Sequence, residues 1–147
     1  MKNHFTATGI VFNPAGRVLM IKHKKLKVWL PPGGHIDENE LPNHAVAREI
    51  LEETGVRVQV ISAANPALPV TEIELPLPME ILLEDIEGDG SHNHIDMIYL
   101  CKTEESAVDM QRAEVDDCSW FTPEEIERLD TFENVKNSVR KAAMIIT

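Results

Sequence analysis

Cysteine is nearly absent from this 147-residue chain: there are two, Cys101 and Cys118, too few and too widely spaced for a zinc cluster or a CxxC redox pair. Both stand among apolar neighbours and are expected to be reduced core residues. No run approaches the ~18 consecutive apolar residues of a membrane-spanning helix, and the first residues lack the apolar core of a secretory signal. A cytoplasmic protein that does not engage a membrane is the expectation. Bases are also scarce, 14 Lys and Arg against 25 Asp and Glu, for a formal net charge of -11. That excludes the dominant basic surface needed to wrap a nucleic acid polymer or lie on an anionic bilayer.

What is present is ordinary in amount and uneven in place. Hydrophobic residues at 43% and charged residues at 27% fit a soluble globular chain, and the length suits one domain over residues 1–147. Residues 1–33 hold six Lys or Arg and no acid, whereas residues 72–96 hold eight acids and no base. Residues 34–56 add a net of -5. The chain therefore reads as a near-neutral scaffold carrying two acidic segments, the second of which has a solvated surface as its default reading.

Segments Phe5 to Phe12 and Val18 to Ile21, separated by Asn13-Pro14-Ala15-Gly16, read as a hairpin. A basic stretch from Lys22 to Lys27 leads to Trp29 and the breaker Pro31-Pro32-Gly33-Gly34, whose backbone can approach a ligand closely. From Leu41 to Thr54, Val46, Ala47, Ile50 and Leu51 recur at helical spacing, with Pro42 in the first turn and Gly55 as the cap. Val56 to Ala63 is β-like, and Ala64 to Pro78 carries four prolines that forbid a helix. Met79 to Ile86 and Ile95 to Lys102 read as a second hairpin through Gly88-Asp89-Gly90. Cys118 to Phe121 suggests a short strand, Thr122-Pro123-Glu124-Glu125 a capped helix start, and Phe132 to Ile145 a closing amphipathic helix.

The helix at 41–54 carries the chemistry. At 100° per residue, Glu52 and Glu53 fall on either side of Glu49 within an arc of about 100°, apart from the apolar arc of Val46, Ala47, Ile50 and Leu51. Like charges at i,i+3 and i,i+4 destabilise a helix by roughly 0.2–0.5 kcal/mol per pair, so a cation should offset them. Arg48 is placed to hold a carboxylate in a bidentate pair. Clustered oxygen ligands beside a Gly-rich loop suit a hard divalent ion, Mg2+ or Mn2+, which in turn binds phosphate oxygens.

Residues 34–56, GHIDENELPNHAVAREILEETGV, resemble the Nudix box at every defined position: Gly34, Glu40, Arg48, Glu49, Ile50, Glu52, Glu53, Gly55 and Val56. The preceding hairpin and Trp120-Phe121 followed by Pro123-Glu124-Glu125 are similar to the family as well. The resemblance implies an α/β fold, a Nudix-type α/β/α sandwich with a mixed β-sheet between helices. It implies a hydrolase that cleaves a diphosphate linkage in a nucleoside diphosphate derivative: a nucleoside triphosphate, favoured slightly, or ADP-ribose, a nucleotide sugar or a dinucleoside polyphosphate. By that likeness Glu49, Glu52 and Glu53 hold Mg2+ or Mn2+, with the Gly34 carbonyl as a further ligand, and Arg48 and Glu40 orient the acids. The general base is assigned to Glu114, with Asp116 and Asp117 behind it, against its being an ordinary loop acid. The partner implied is a small nucleotide-type molecule and not a nucleic acid polymer; homodimers occur among relatives, and the state of this chain is left open.

A Nudix-fold nucleotide sensor without turnover is the alternative, and the complete set of box acids weighs against it. Diphosphate isomerase chemistry would need a pocket cysteine, which neither Cys101 nor Cys118 resembles. His92 and His94 invite a metal reading at alternate strand positions, but without a third ligand a loop role is favoured, as for Asp96 and Glu84. His35 and His44 read as exposed loop and helix-surface residues. Trp29 and Tyr99 are more ordinarily core than base-stacking residues. Lys22, Lys24, Lys25 and Lys27 read as a solvated edge, with phosphate attraction as the sharper alternative.

Overall fold

The computed structural model describes residues 2–62, 72–109 and 115–146. Eight strands form one sheet: β1 (Lys2–Phe12), β2 (Val18–His23), β3 (Trp29–Leu30), β4 (Gly33–His35), β5 (Gln59–Val60), β6 (Glu80–Asp85), β7 (His92–Lys102) and β8 (Val115–Phe121). Among the described residues three helices accompany it, α1 (Pro42–Thr54), α2 (Pro123–Ile126) and α3 (Glu133–Ile146). Strand β1 lies between β7, its parallel partner from Lys2↔His92 to Phe12↔Lys102, and the antiparallel strands β2 and β4. The other edge of β7 takes β6 and β5, and β2 takes β8 and β3, all antiparallel. The sheet is thus mixed, as expected.

Alternation along β1 and β7 sends side chains into two cores. Ala7, Val11, Tyr99 and Cys101 pack with Val46 and Ile50 of α1, whereas Ile10, Phe12, Ile98 and Leu100 pack with Val135, Val139 and Ala142 of α3. A helix layer therefore covers each face, and the α/β/α sandwich is the architecture observed. Each fully buried Val or Ile stabilises the fold by roughly 1.5–3 kcal/mol relative to exposure, which is how a chain with so few aromatic residues holds its layers together.

Local signals match their elements. Leu41 stands at the N-cap of α1 with Pro42 in the first turn, and Gly55 closes the helix at φ 74°, its N–H donating to the Leu51 carbonyl. Thr122 caps α2 through a complete capping box with Glu125. Between Val56 and Ser62 only Gln59–Val60 is strand, and residues 72–78 form no regular element; Ala63, Pro66 and Pro69 lie outside the described residues. Among the described residues no helix is long and apolar enough to cross a membrane.

One expectation about α1 needs correction. Its buried arc comprises Ala45, Val46, Glu49, Ile50, Glu53 and Thr54, while Leu51 is 39% exposed. Two of the acids face inward, because backbone and guanidinium donors, not water, receive them there.

Candidate active site

The Gly-rich loop is strung along β1. The Gly9 N–H donates to the Pro32 carbonyl at 3.0 Å, and the Ile36 N–H to the Phe5 carbonyl at 3.1 Å. Pairing of Thr8 with Gly33, Ala7 with Gly34 and Thr6 with His35 turns Gly34 toward α1 and His35 toward the opposite face. A Cβ on Gly34 would lie 2.5–2.8 Å from the carboxylate atoms of Glu49. Only glycine leaves the carboxylate that space.

The acids of α1 meet distinct donors. Glu53, 4% exposed, accepts the Gly33 N–H at 2.9 Å. Glu49, also 4% exposed, accepts from Arg48 Nη1 at 3.0 Å, and the same nitrogen reaches Glu52 at 3.2 Å. On its other edge Arg48 grips Glu40 bidentately, Nε to Oε2 at 2.7 Å and Nη2 to Oε1 at 3.0 Å, while Nη2 also donates to the His35 carbonyl. Arg48 is thus the cation that the repulsion among the acids requires. The guanidinium beside Glu40 holds that carboxyl below its ordinary range, and the Glu40 and Glu49 carboxylates raise the Arg48 pKa further. Charge-assisted contacts of this kind fix side chains whose rotamers would otherwise be free.

The remaining residues singled out by sequence divide. Glu114 lies outside the described residues. Asp116 is salt-bridged to Lys27 at 2.7 Å, which holds its pKa down, and Asp117 accepts the Cys118 N–H. Cys101 and Cys118 are free and buried, and burial pushes both thiols up to about 12, so neither is a nucleophile at neutral pH. Tyr99 is buried in the core, and Trp29 stands edge-on to Phe121 with centroids 4.9 Å apart. His44 is exposed on the helix surface, as expected.

The loop role assigned to His92 and His94 does not hold: both stand on β7. Parallel pairing of β1 with β7 sets His4 opposite His94 and supplies a third imidazole that the spacing of residues 92–94 does not disclose. Asp96, 6% exposed, is likewise on the strand, accepting hydrogen bonds from the Thr6 and Thr8 hydroxyls. It is hydrogen-bonded to Glu84 on β6, and burial raises the pKa of both; the Asp96 charge and hydrogen bond raise Glu84 further, whereas the bonds from Thr8, Thr6 and Glu84 pull Asp96 back down, so the proton belongs to Glu84. The second acidic segment is therefore not a merely solvated surface. Glu80 binds Ser138 and, at 2.6 Å, Lys141 of α3, and Asp85 and Asp89 accept backbone N–H groups in the β6–β7 turn.

Comparison with known proteins decides what this arrangement belongs to: the NUDIX domain family model matches residues 2–142. The chain belongs to the Nudix family. A hydrolase of the NUDIX family from Clostridium perfringens superimposes with a TM-score of 0.87 at 29% identity, covering 100% of each chain. The NUDIX domain of Shewanella oneidensis NrtR, solved with ADP ribose, superimposes with a TM-score of 0.75 at 18% identity, covering 100% of this chain and 90% of that one, a likeness of fold. A MutT-like protein of Streptomyces ambofaciens is 27% identical over 121 residues, 82% of this chain and 65% of the relative. The chain spans less than two thirds of the length of the first curated relatives it matches. In Nudix terms, the contacts among Gly34, Glu40, Arg48, Glu49, Glu52 and Glu53 draw the defining box residues into one place.

Proposed function

We propose that this protein is a divalent-metal-dependent pyrophosphohydrolase that cleaves the diphosphate linkage of a small nucleoside diphosphate derivative by attack of water on phosphorus. The observation that carries the reading is the inward pair Glu49 and Glu53, each 4% exposed and set against the backbone of Gly33 and Gly34. Nearly buried carboxylates call for strong partners, and an all-oxygen donor set of Glu49, Glu52, Glu53 and the Gly34 carbonyl fits a hard ion, Mg2+ or Mn2+. The space that a Cβ on Gly34 would fill supports that fit.

When bound, such an ion screens the diphosphate, acts as Lewis acid at phosphorus and makes water a better nucleophile at neutral pH. The protein's own part is positional. Arg48 holds Glu49 and Glu52 from one side while Glu40 fixes the guanidinium from the other. Glu53 is aimed by the Gly33 N–H. Glu114 takes the proton of the attacking water on this reading; the ion pair of Asp116 with Lys27 disfavours Asp116 for that task.

Nucleoside triphosphates are the favoured substrates, since one relative, from Bacillus subtilis, bears the name putative 8-oxo-dGTP diphosphatase. ADP ribose bound to the Shewanella relative keeps ADP-ribose in the panel. The net charge of -11 favours a small metal-complexed nucleotide over a nucleic acid polymer. The two free, buried thiols fit the reducing cytoplasm. The test is hydrolysis of nucleoside triphosphates, ADP-ribose, nucleotide sugars and dinucleoside polyphosphates with Mg2+ or Mn2+, with the products identified. Glu49→Gln and Glu53→Gln are expected to lower kcat by orders of magnitude with the circular dichroism spectrum unchanged. Wild-type turnover in either variant would overturn the assignment.

A further inference from the structure

Outside the box, the most concentrated chemistry lies at the N-terminal ends of β1 and β7. The imidazoles of His4, His92 and His94 each present a ring nitrogen, and these nitrogens all lie within 4.8 Å of one another. His92 Nε2 stands 3.2 Å from His4 Nδ1. A fourth ring, His35, sits with its centroid 5.0 Å from that of His94 and 5.4 Å from that of His4. Four imidazoles gathered from three strands is a costly arrangement if all are protonated, since each cation repels the others. Burial and then the neighbouring rings hold the His94 pKa below its ordinary value.

We propose that His4, His92 and His94 form a second metal site, for a borderline divalent transition ion of the Zn2+ class, distinct from the box carboxylates. Imidazole nitrogens suit Zn2+, Cu2+ or Ni2+ and not Mg2+, which selects oxygen. The register separates the two places: Gly34 faces α1 and Glu49, whereas His4, His94 and His35 project from the other face of the sheet. Three protein imidazoles leave a fourth position for water or for His35 at the rim. Glu87 stands 4.0 Å from His92 Nδ1, a negative charge beside the cluster. An open cavity of about 650 Å3, lined by His4, His92, Glu87, Asp89, Ser91 and Lys2, gives an ion access, and its two acids offset the lysine.

Such an ion would clamp the free ends of β1 and β7 together and does not depend on the hydrolytic reading. The test is competition between the full-length protein and a chromophoric chelator for Zn2+ in excess Mg2+, with the visible spectrum of the Co2+-loaded protein as a second readout. The expected result is one Zn2+ bound per chain and the visible bands of nitrogen-ligated, four-coordinate Co2+. His4→Gln, His92→Gln and His94→Gln are each expected to weaken binding by more than about tenfold, and a Glu49→Gln/Glu53→Gln double variant to retain it. Absence of Zn2+ binding in excess Mg2+ would overturn the proposal. So would binding that survives all three histidine variants, or that the double variant abolishes. Hydrolysis measured with Mg2+ alone reports separately on the box.

Discussion

Arg48 is the hinge of the box: one guanidinium reaches Glu40, Glu49, Glu52 and the His35 carbonyl. Lysine keeps the charge but cannot reproduce the fork. Arg48→Lys is therefore expected to lower kcat at least tenfold, about 1.4 kcal/mol of barrier, with little change in KM, measured by steady-state kinetics. Gly34→Ala should act through Glu49, whose carboxylate the new methyl must displace, and should lower kcat more than it lowers the melting temperature. The Glu84 and Asp96 pair gives a pH effect with a definite sign. Burial beside Asp96 pushes Glu84 up to about 8 from an ordinary 4.5, so the folded state holds a proton that the unfolded chain releases earlier. Stability from this carboxyl is complete below about pH 4.5 and is lost as pH rises through 8. Urea denaturation at pH 5 and pH 8.5 should show a smaller decline for Glu84→Gln than for the parent.

For the elements, helix α1 is the one on which position and stability meet. Ile50 is fully buried against the sheet, so Ile50→Ala should cost about 2–5 kcal/mol in chemical denaturation. Gly55 caps the helix at φ 74° with Asp109 atoms 3.2 Å from where a Cβ would stand, and Gly55→Ala should cost about 1–2 kcal/mol. The helix, its Pro42 start, its glycine cap and the capping box of α2 are all legible in sequence, because each is decided by residues a few positions apart. The box acids are legible for the same reason, being periodic on one helix. Their burial was not: a wheel assigns Glu49 and Glu53 to the polar side, and only the approach of the Gly33-Gly34 backbone makes that side an interior. His92 and His94 misread as loop residues for a related cause. Their third companion, His4, comes from a strand 88 residues away from His92, and no local pattern encodes that pairing.

Over the whole molecule the charge of -11 divides between residues with different work to do. The box acids surround Arg48 and Gly33, and the acids of residues 72–96 fasten β6 to α3, close the β6–β7 turn and hold a proton on Glu84 within the sheet. Binding a divalent ion to the first group should stabilise the fold by mass action. At a free Mg2+ concentration about 100 times Kd the gain is about 2.7 kcal/mol, a rise of about 5–10 °C in Tm. Differential scanning calorimetry with Mg2+ and with EDTA should show this shift in the parent and lose it in Glu49→Gln.

The parallel seam from Lys2↔His92 to Phe12↔Lys102 also sets an order of events. A ribosome completes β1 first and β7 only after some ninety further residues, several seconds later at about 5–20 residues per second. Until then β1 has the hairpin, the Gly-rich loop and α1 to hold it but not its longest partner, and closing so long an intervening chain carries the entropic cost that slows non-local sheets. The helix that carries the box is made early, but the surface it must dock against is finished late. Nascent chains halted before β7 should therefore be protease-sensitive and inactive although every box residue has already been synthesised.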